Sequence, residues 1–160
     1  IDNLTMPAFY SNAIGTTAGI LYHYTAPKNA INDFLVAETQ SRYGASPDLF
    51  DADGMNAAIM ILETLKKTAG DVPPETLLAS MEGLEFEGPK GTIYIRPEDH
   101  VCLQPMNILK LVNIDPGKDD KGRPTYKFFE TVYVTKYDEL AVPCTLVETY
   151  ASRCGSLPKP

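Results

Sequence analysis

The sequence predicts an α/β protein, on three observations. Apolar residues recur at helical spacing between Lys28 and Gly83, they alternate at strand spacing between Phe86 and Val134, and the change of period falls at one place. A chain of 160 residues with 44% apolar and 22% charged residues can form a core of its own, since a domain of this size buries roughly 68–70% of its unfolded surface.

The elements follow in order. Tyr10-Ser11-Asn12 and Thr16-Thr17-Ala18-Gly19 read as loop, with a short strand around Ile20-Leu21-Tyr22. The first residue is Ile1, so we expect a chain that was processed or cut from something longer. A first helix spans Lys28 to Tyr43, with Ile31, Phe34, Leu35 and Val36 apolar between Asn32, Asp33, Glu38, Thr39 and Gln40, and with Pro27 ahead of it. Tyr43-Gly44 closes that pattern and Ser46-Pro47-Asp48 makes a turn. Asp51 or Asp53 can then cap a long helix built on Met55, Ala58, Ile59, Leu62 and Leu65 and ended by Gly70. Pro73-Pro74 restarts a short third helix through Leu77, Leu78 and Met81, stopped by Gly83. Strands follow at Phe86, Gly91 to Arg96, Leu103 to Ile114 and Lys127 to Val134, the last two joined by the acidic turn from Asp115 to Gly122.

Charge narrows the partners. A net charge of −7 opposes nucleic acid, whose phosphates need clustered Lys and Arg, and opposes anionic membrane surfaces for the same Coulombic reason. No run approaches the ~18 apolar residues of a membrane-spanning helix, so direct membrane insertion is not expected. The three cysteines, Cys102, Cys144 and Cys154, show no CxxC spacing for zinc or redox chemistry. Cys144 and Cys154 lie near a Pro and a Gly that suggest turns, and in an oxidising compartment they can close a small loop; the alternative is three unlinked small apolar residues.

Chemical motifs are few. His23 and His100 are the only histidines and fall in no HExxH-type pair, so no metal site is expected. Asp48, Asp51 and Asp53 crowd a helix start, where carboxylates are favoured by free N–H groups; capping is the first reading and ligand contact the second. The acidic turn lacks the ligand spacing of a calcium loop. There is no GxSxG elbow and no Gly-rich phosphate loop, and the Lys of Gly88-Pro89-Lys90-Gly91 stands too isolated to suggest phosphate binding. No catalytic residues and no cofactor are assigned.

The order of motifs carries more. Arg42-Tyr43-Gly44 is followed by Pro47-Asp48, an Ala-rich helix through Asn56-Ala57-Ala58 and a helix end at Ala69-Gly70. Then come Glu82-Gly83, Phe86 to Gly91, the run Arg96 to His100 (RPEDH) and Gln104-Pro105-Met106. Across roughly residues 19–144 this order resembles the C-terminal portion of the type I periplasmic solute-binding proteins, those serving ABC importers of the branched-chain amino acid (leucine/isoleucine/valine) class. Pro143-Cys144 is similar to the Pro-Cys ending of some members.

The resemblance implies two lobes, each three-layered α/β/α, joined by three crossovers, with solute trapped between them. Residues 1–24 would end the second-lobe segment, 25–110 would be the returning part of the first lobe, and 111–160 would cross back to the second lobe and form the tail. It implies an extracytoplasmic, periplasmic binder of a small polar or amphipathic solute (amino acid, amide or aromatic acid), working with a membrane permease and with an N-terminal portion that this chain lacks. Positions matching cleft-facing loops are Tyr10 and Ser11, and Phe50, Asp51 and Asp53; aromatic rings would supply contact area and a carboxylate would pair with an ammonium group. Otherwise Tyr10 is a loop aromatic and Phe50 a core residue. Two other functions remain: a ligand-sensing receptor domain of the same fold, and a small-molecule hydrolase using His100 with Asp99 or Cys102.

Overall fold

Local capping sets the three helices in place. The structure, a computed structural model, describes residues 7–115, 117–122, 127–140 and 142–158. Ile1 to Met6, the start of the segment expected to end a second lobe, lie outside the described residues. Helix α1 (Ala30–Tyr43) starts where Asn29 Oδ1 accepts the Asn32 N–H at 2.8 Å, and stops at Gly44, whose φ of 68° lets its N–H turn back to Gln40 O. Helix α2 (Leu49–Lys67) opens with a capping box. Helix α3 (Pro74–Met81) has a Pro in its first turn, where the missing N–H costs nothing, and is followed by Gly83 at φ 72°.

The cap of α2 differs from the expectation of Asp51 or Asp53. Asp48 is the cap: its Oδ1 accepts from Phe50 N at 2.8 Å and Asp51 N at 3.1 Å, while Asp51 Oδ2 accepts the Asp48 N–H at 2.9 Å. The helix therefore begins one residue after the Pro47-Asp48 turn, because that turn already presents a carboxylate to the free N–H groups. The early loop through Tyr10 and Ser11 is also more ordered than expected, forming a 3-10 helix at Pro7–Ala13.

Among the described residues six strands form two antiparallel sheets. Strands β1 (Thr17–Ile20), β5 (Asn107–Leu111) and β6 (Phe129–Val134) lie in the order β1-β5-β6, with a register shift at Ile108/Leu109. Strands β2 (Glu85–Gly88), β3 (Gly91–Ile95) and β4 (Cys102–Leu103) form the second sheet in sequence order. The single strand expected over 103–114 is divided at Pro105, which has no N–H for a ladder, so β4 joins one sheet and β5 the other.

Burial departs from the apolar periodicity. Leu84, Phe86, Ile93 and Ile95 pack the second sheet against Ile59 and Met60 of α2; Ile20, Ala26 and Leu109 meet Phe129; Tyr22, Leu35 and Ala52 fill the space between α1 and α2. Phe34 and Leu62, both expected inside, are 57% and 56% exposed. Asn32, Asn56 and Thr64 are buried instead. Asn32 tolerates burial because it accepts from Tyr22 Oη at 2.8 Å and donates to the carbonyls of Tyr24 and Pro27.

Candidate functional site

The five residues expected at a cleft have separate surroundings. Tyr10 is half-buried and Ser11 exposed in the 3-10 turn ahead of β1. Phe50, on the first turn of α2, is 72% exposed and takes no part in the core, since that helix turns Ala52 and Asn56 inward. Asp51 is engaged in the capping box. Asp53 makes an ion pair with Lys90, its Oδ1 2.7 Å from Nζ, and its side chain stays 46% exposed. The five line none of three cavities of about 670, 580 and 280 Å³.

Lys90 connects Asp53 to the largest of those cavities. Its side chain is fully buried, an arrangement that a lysine tolerates only when paired, and it donates to Gln104 Oε1 at 3.0 Å as well as to Asp53. The backbone forces this direction. Gly88 passes so close to α2 that a Cβ there would lie 2.1 Å from Asn56 Oδ1; Gly91 adopts φ 112°; and Asn29 Nδ2 holds Pro89 O at 3.1 Å under the start of α1. The turn is thus pressed against both helices, and Lys90 has nowhere to go but across to Asp53 and Gln104.

The cavity, about 670 Å³, lies between the two sheets. Its wall carries Lys28 and Asn29 from the approach to α1, Glu85 and Glu87 from β2, Lys90, Asn107 from β5 and Tyr137 beyond β6. Charges of both signs face it, with a stacked aromatic pair at one side: Tyr137 lies 5.5 Å from Tyr94, ring centre to ring centre. The Tyr137 hydroxyl donates to Glu85, which pushes its pKa up to about 12 and keeps it a donor. Asn107 is 1% exposed and its Nδ2 has no hydrogen-bond partner among the described residues. A cavity of this size with polar edges and an aromatic wall suits a small amphipathic molecule.

Sequence reading set Lys90 aside as too isolated to bind phosphate and passed over Asn107. The signal for Lys90 was its place between Gly88-Pro89 and Gly91, in a tight turn before a strand; weighing it only as an isolated phosphate ligand hid it. Asn107 gave no signal, since an isolated Asn at a strand start is ordinary.

The residues proposed for hydrolysis are committed elsewhere. Asp99 accepts both Arg96 Nε and Nη2, at 2.8 and 2.6 Å, and also Thr145 N, so it does not orient His100. His100 Nε2 lies 2.8 Å from Glu82 Oε1. Cys102 is exposed, yet partial desolvation of its thiol shifts the pKa upward, away from a reactive thiolate. His23 is buried, with Nδ1 2.8 Å from Thr25 Oγ1 and its ring edge-on to Phe129. Among the described residues no three His, Cys, Asp or Glu side chains are grouped to hold a metal ion, and no helix is long and apolar enough to cross a membrane.

Comparison with known proteins places this geometry. The periplasmic binding protein family profile matches residues 2–121. No match was found among curated proteins. Among solved structures, an ABC-type branched-chain amino acid transporter protein from Rhodopseudomonas palustris is 35% identical, with a TM-score of 0.78 over 92% of this chain and 38% of that one. A solute-binding protein of an ABC transporter from the same species, in complex with 3,4-dihydroxybenzoic acid, is 26% identical with a TM-score of 0.61, over 79% and 32%. A leucine-, isoleucine-, valine-, threonine- and alanine-binding protein from Brucella ovis shares the fold at 17% identity and a TM-score of 0.64, over 84% and 34%. The chain therefore spans 32–38% of the length of these relatives.

Proposed function

This chain belongs to the periplasmic binding protein family, and from that membership we propose that it forms part of the extracytoplasmic solute-binding component of an ABC importer. The whole protein captures a small polar or amphipathic solute between two lobes and hands it to a membrane permease, without chemical turnover. The observation that carries this reading is the likeness to the branched-chain amino acid transporter protein, 35% identical with a TM-score of 0.78 over 92% of this chain. Lobe closure draws its energy from a solute that binds the closed state more tightly than the open one.

Residues 1–24 are assigned to the end of the second-lobe segment, 25–110 to the returning part of the first lobe, and 111–160 to the crossover and tail. Two features support a larger assembly: exposed apolar side chains along the helices, including Phe34, Ile61 and Leu62, and the greater length of the relatives. The 110/111 boundary falls inside β5, the central strand of a sheet that also includes β1 and β6, so the sheet ties all three segments together.

Tyr10, Ser11, Phe50, Asp51 and Asp53 are the proposed solute contacts. Asp53 is favoured over Asp51 as partner for an ammonium group, because Asp51 is occupied at the cap while Asp53 is half-exposed with only Oδ1 on Lys90. Calorimetric titration of the whole protein with leucine, valine and 3,4-dihydroxybenzoate tests the reading. At least one should bind, and Tyr10→Ala together with Asp53→Asn should weaken binding of that compound tenfold or more, measured with Lys90→Met also present so that no buried ammonium is left unpaired. Absence of binding heat for all three compounds would overturn it.

A further inference from the structure

The C-terminal segment has almost no regular structure of its own. Between Thr135 and Pro158 the described residues form only two 3-10 turns, Tyr137–Glu139 and Glu148–Cys154, and Val147 and Tyr150 are exposed. Yet it is tightly attached to the turn between β3 and β4. Arg96 Nη1 donates to Val142 O at 2.6 Å and Nη2 to Pro143 O at 3.0 Å, while Asp99 Oδ2 accepts Thr145 N at 3.0 Å and Thr145 Oγ1 at 3.1 Å. These are the two residues before Cys144 and the one after it. At the other end, Arg153, the neighbour of Cys154, donates to Pro97 O at 3.2 Å and reaches Glu82 and His100. Cys144 and Cys154 are joined by a disulfide with Cα atoms 5.7 Å apart, and both are buried.

We propose that residues 142–157 are a reducible strap, held on the β3–β4 turn by the Arg96–Asp99 pair and kept in place by the Cys144–Cys154 disulfide. The contacts that dock the strap all lie beside one of the two cysteines, so the covalent bond fixes the spacing between its two attachment points. Having only two short 3-10 turns and no strand pairing of its own, the strap depends on that constraint more than a helix or strand would. A dithiol reductant transfers two electrons and two protons: the S–S bond breaks, Cys144 and Cys154 become thiols, and the dithiol leaves as its own cyclic disulfide. The freed segment then leaves Arg96 and Asp99 to water. Arg153 also withdraws from Glu82 and His100, the polar rim of an otherwise apolar cavity of about 280 Å³ that includes Met60, Met81 and Cys102.

Hydrogen exchange by mass spectrometry on the whole protein, oxidised and after treatment with dithiothreitol, tests this. Exchange at 142–157 and at Val101 should rise by at least tenfold, and on the order of a hundredfold if loop closure is the main constraint, with α2 and β5 unchanged. The variant C144S/C154S should reproduce that pattern without reductant. The strap is overturned if the disulfide resists dithiothreitol in the folded protein, if reduction leaves 142–157 protected, or if protection falls throughout the molecule.

Discussion

Arg96 and Asp99 show how much a single buried pair does here. Asp99 receives two bonds from the guanidinium and others from Thr145 and Val101, and Arg96 foremost holds its carboxyl well below the usual carboxylate range. Because the folded pKa is the lower one, the stabilisation is complete above the unfolded value near ~3.9 and is lost as pH falls below it toward the folded value. Thermal melts should therefore show a steep loss of stability below about pH 4; Asp99→Asn should start lower at neutral pH and flatten that acid limb. Lys90 and Asp53 offer a second, asymmetric case. Asp53→Ala leaves a fully buried ammonium with only Gln104, and should cost about 3–5 kcal/mol in urea unfolding. Lys90→Met leaves a half-exposed carboxylate that water can solvate, and should cost clearly less. Equal costs would mean that Lys90 is not buried as described.

At the scale of elements, the turn from Gly88 to Gly91 decides how the second sheet meets the helices. A Cβ at Gly88 would lie 2.1 Å from Asn56 Oδ1 and 3.1 Å from Ile93 Cδ1, both inside packed structure. Gly88→Ala should therefore cost about 1–3 kcal/mol by forcing α2 and β3 apart. At Gly83, where φ is 72° and no atom lies within 4 Å of a Cβ, alanine meets only backbone strain and should cost about 1 kcal/mol. Denaturant midpoints of the two variants separate crowding from conformation. The same turn aims Lys90 at Asp53, so the sheet's seating and the polarity of the cavity wall have one cause. Pro105 acts at this scale too, sending β4 and β5 into different sheets.

For the whole molecule, exposed apolar side chains on the helices and a mixed-charge cavity accompany a chain that spans 32–38% of the length of its relatives. Solute bound by the whole protein should raise its stability by about 2.7 kcal/mol at a concentration of 100 Kd, provided only the folded state binds. By itself the sequence determined that three helices follow one another and which Gly residues stand at their ends, where the period changes, and which family the order of motifs resembles. Caps, Gly and Pro stops and periodicity act between residues close along the chain, so they can be read from it. Only the tertiary structure decided which helix faces are covered, that Lys90 is buried, that Asp53 pairs with it while Asp51 serves the cap, and that Arg96 and Asp99 hold the C-terminal strap. Those outcomes depend on segments far apart in sequence, such as Arg96 and Val142, 46 positions apart, whose meeting is set by packing and not by any local preference.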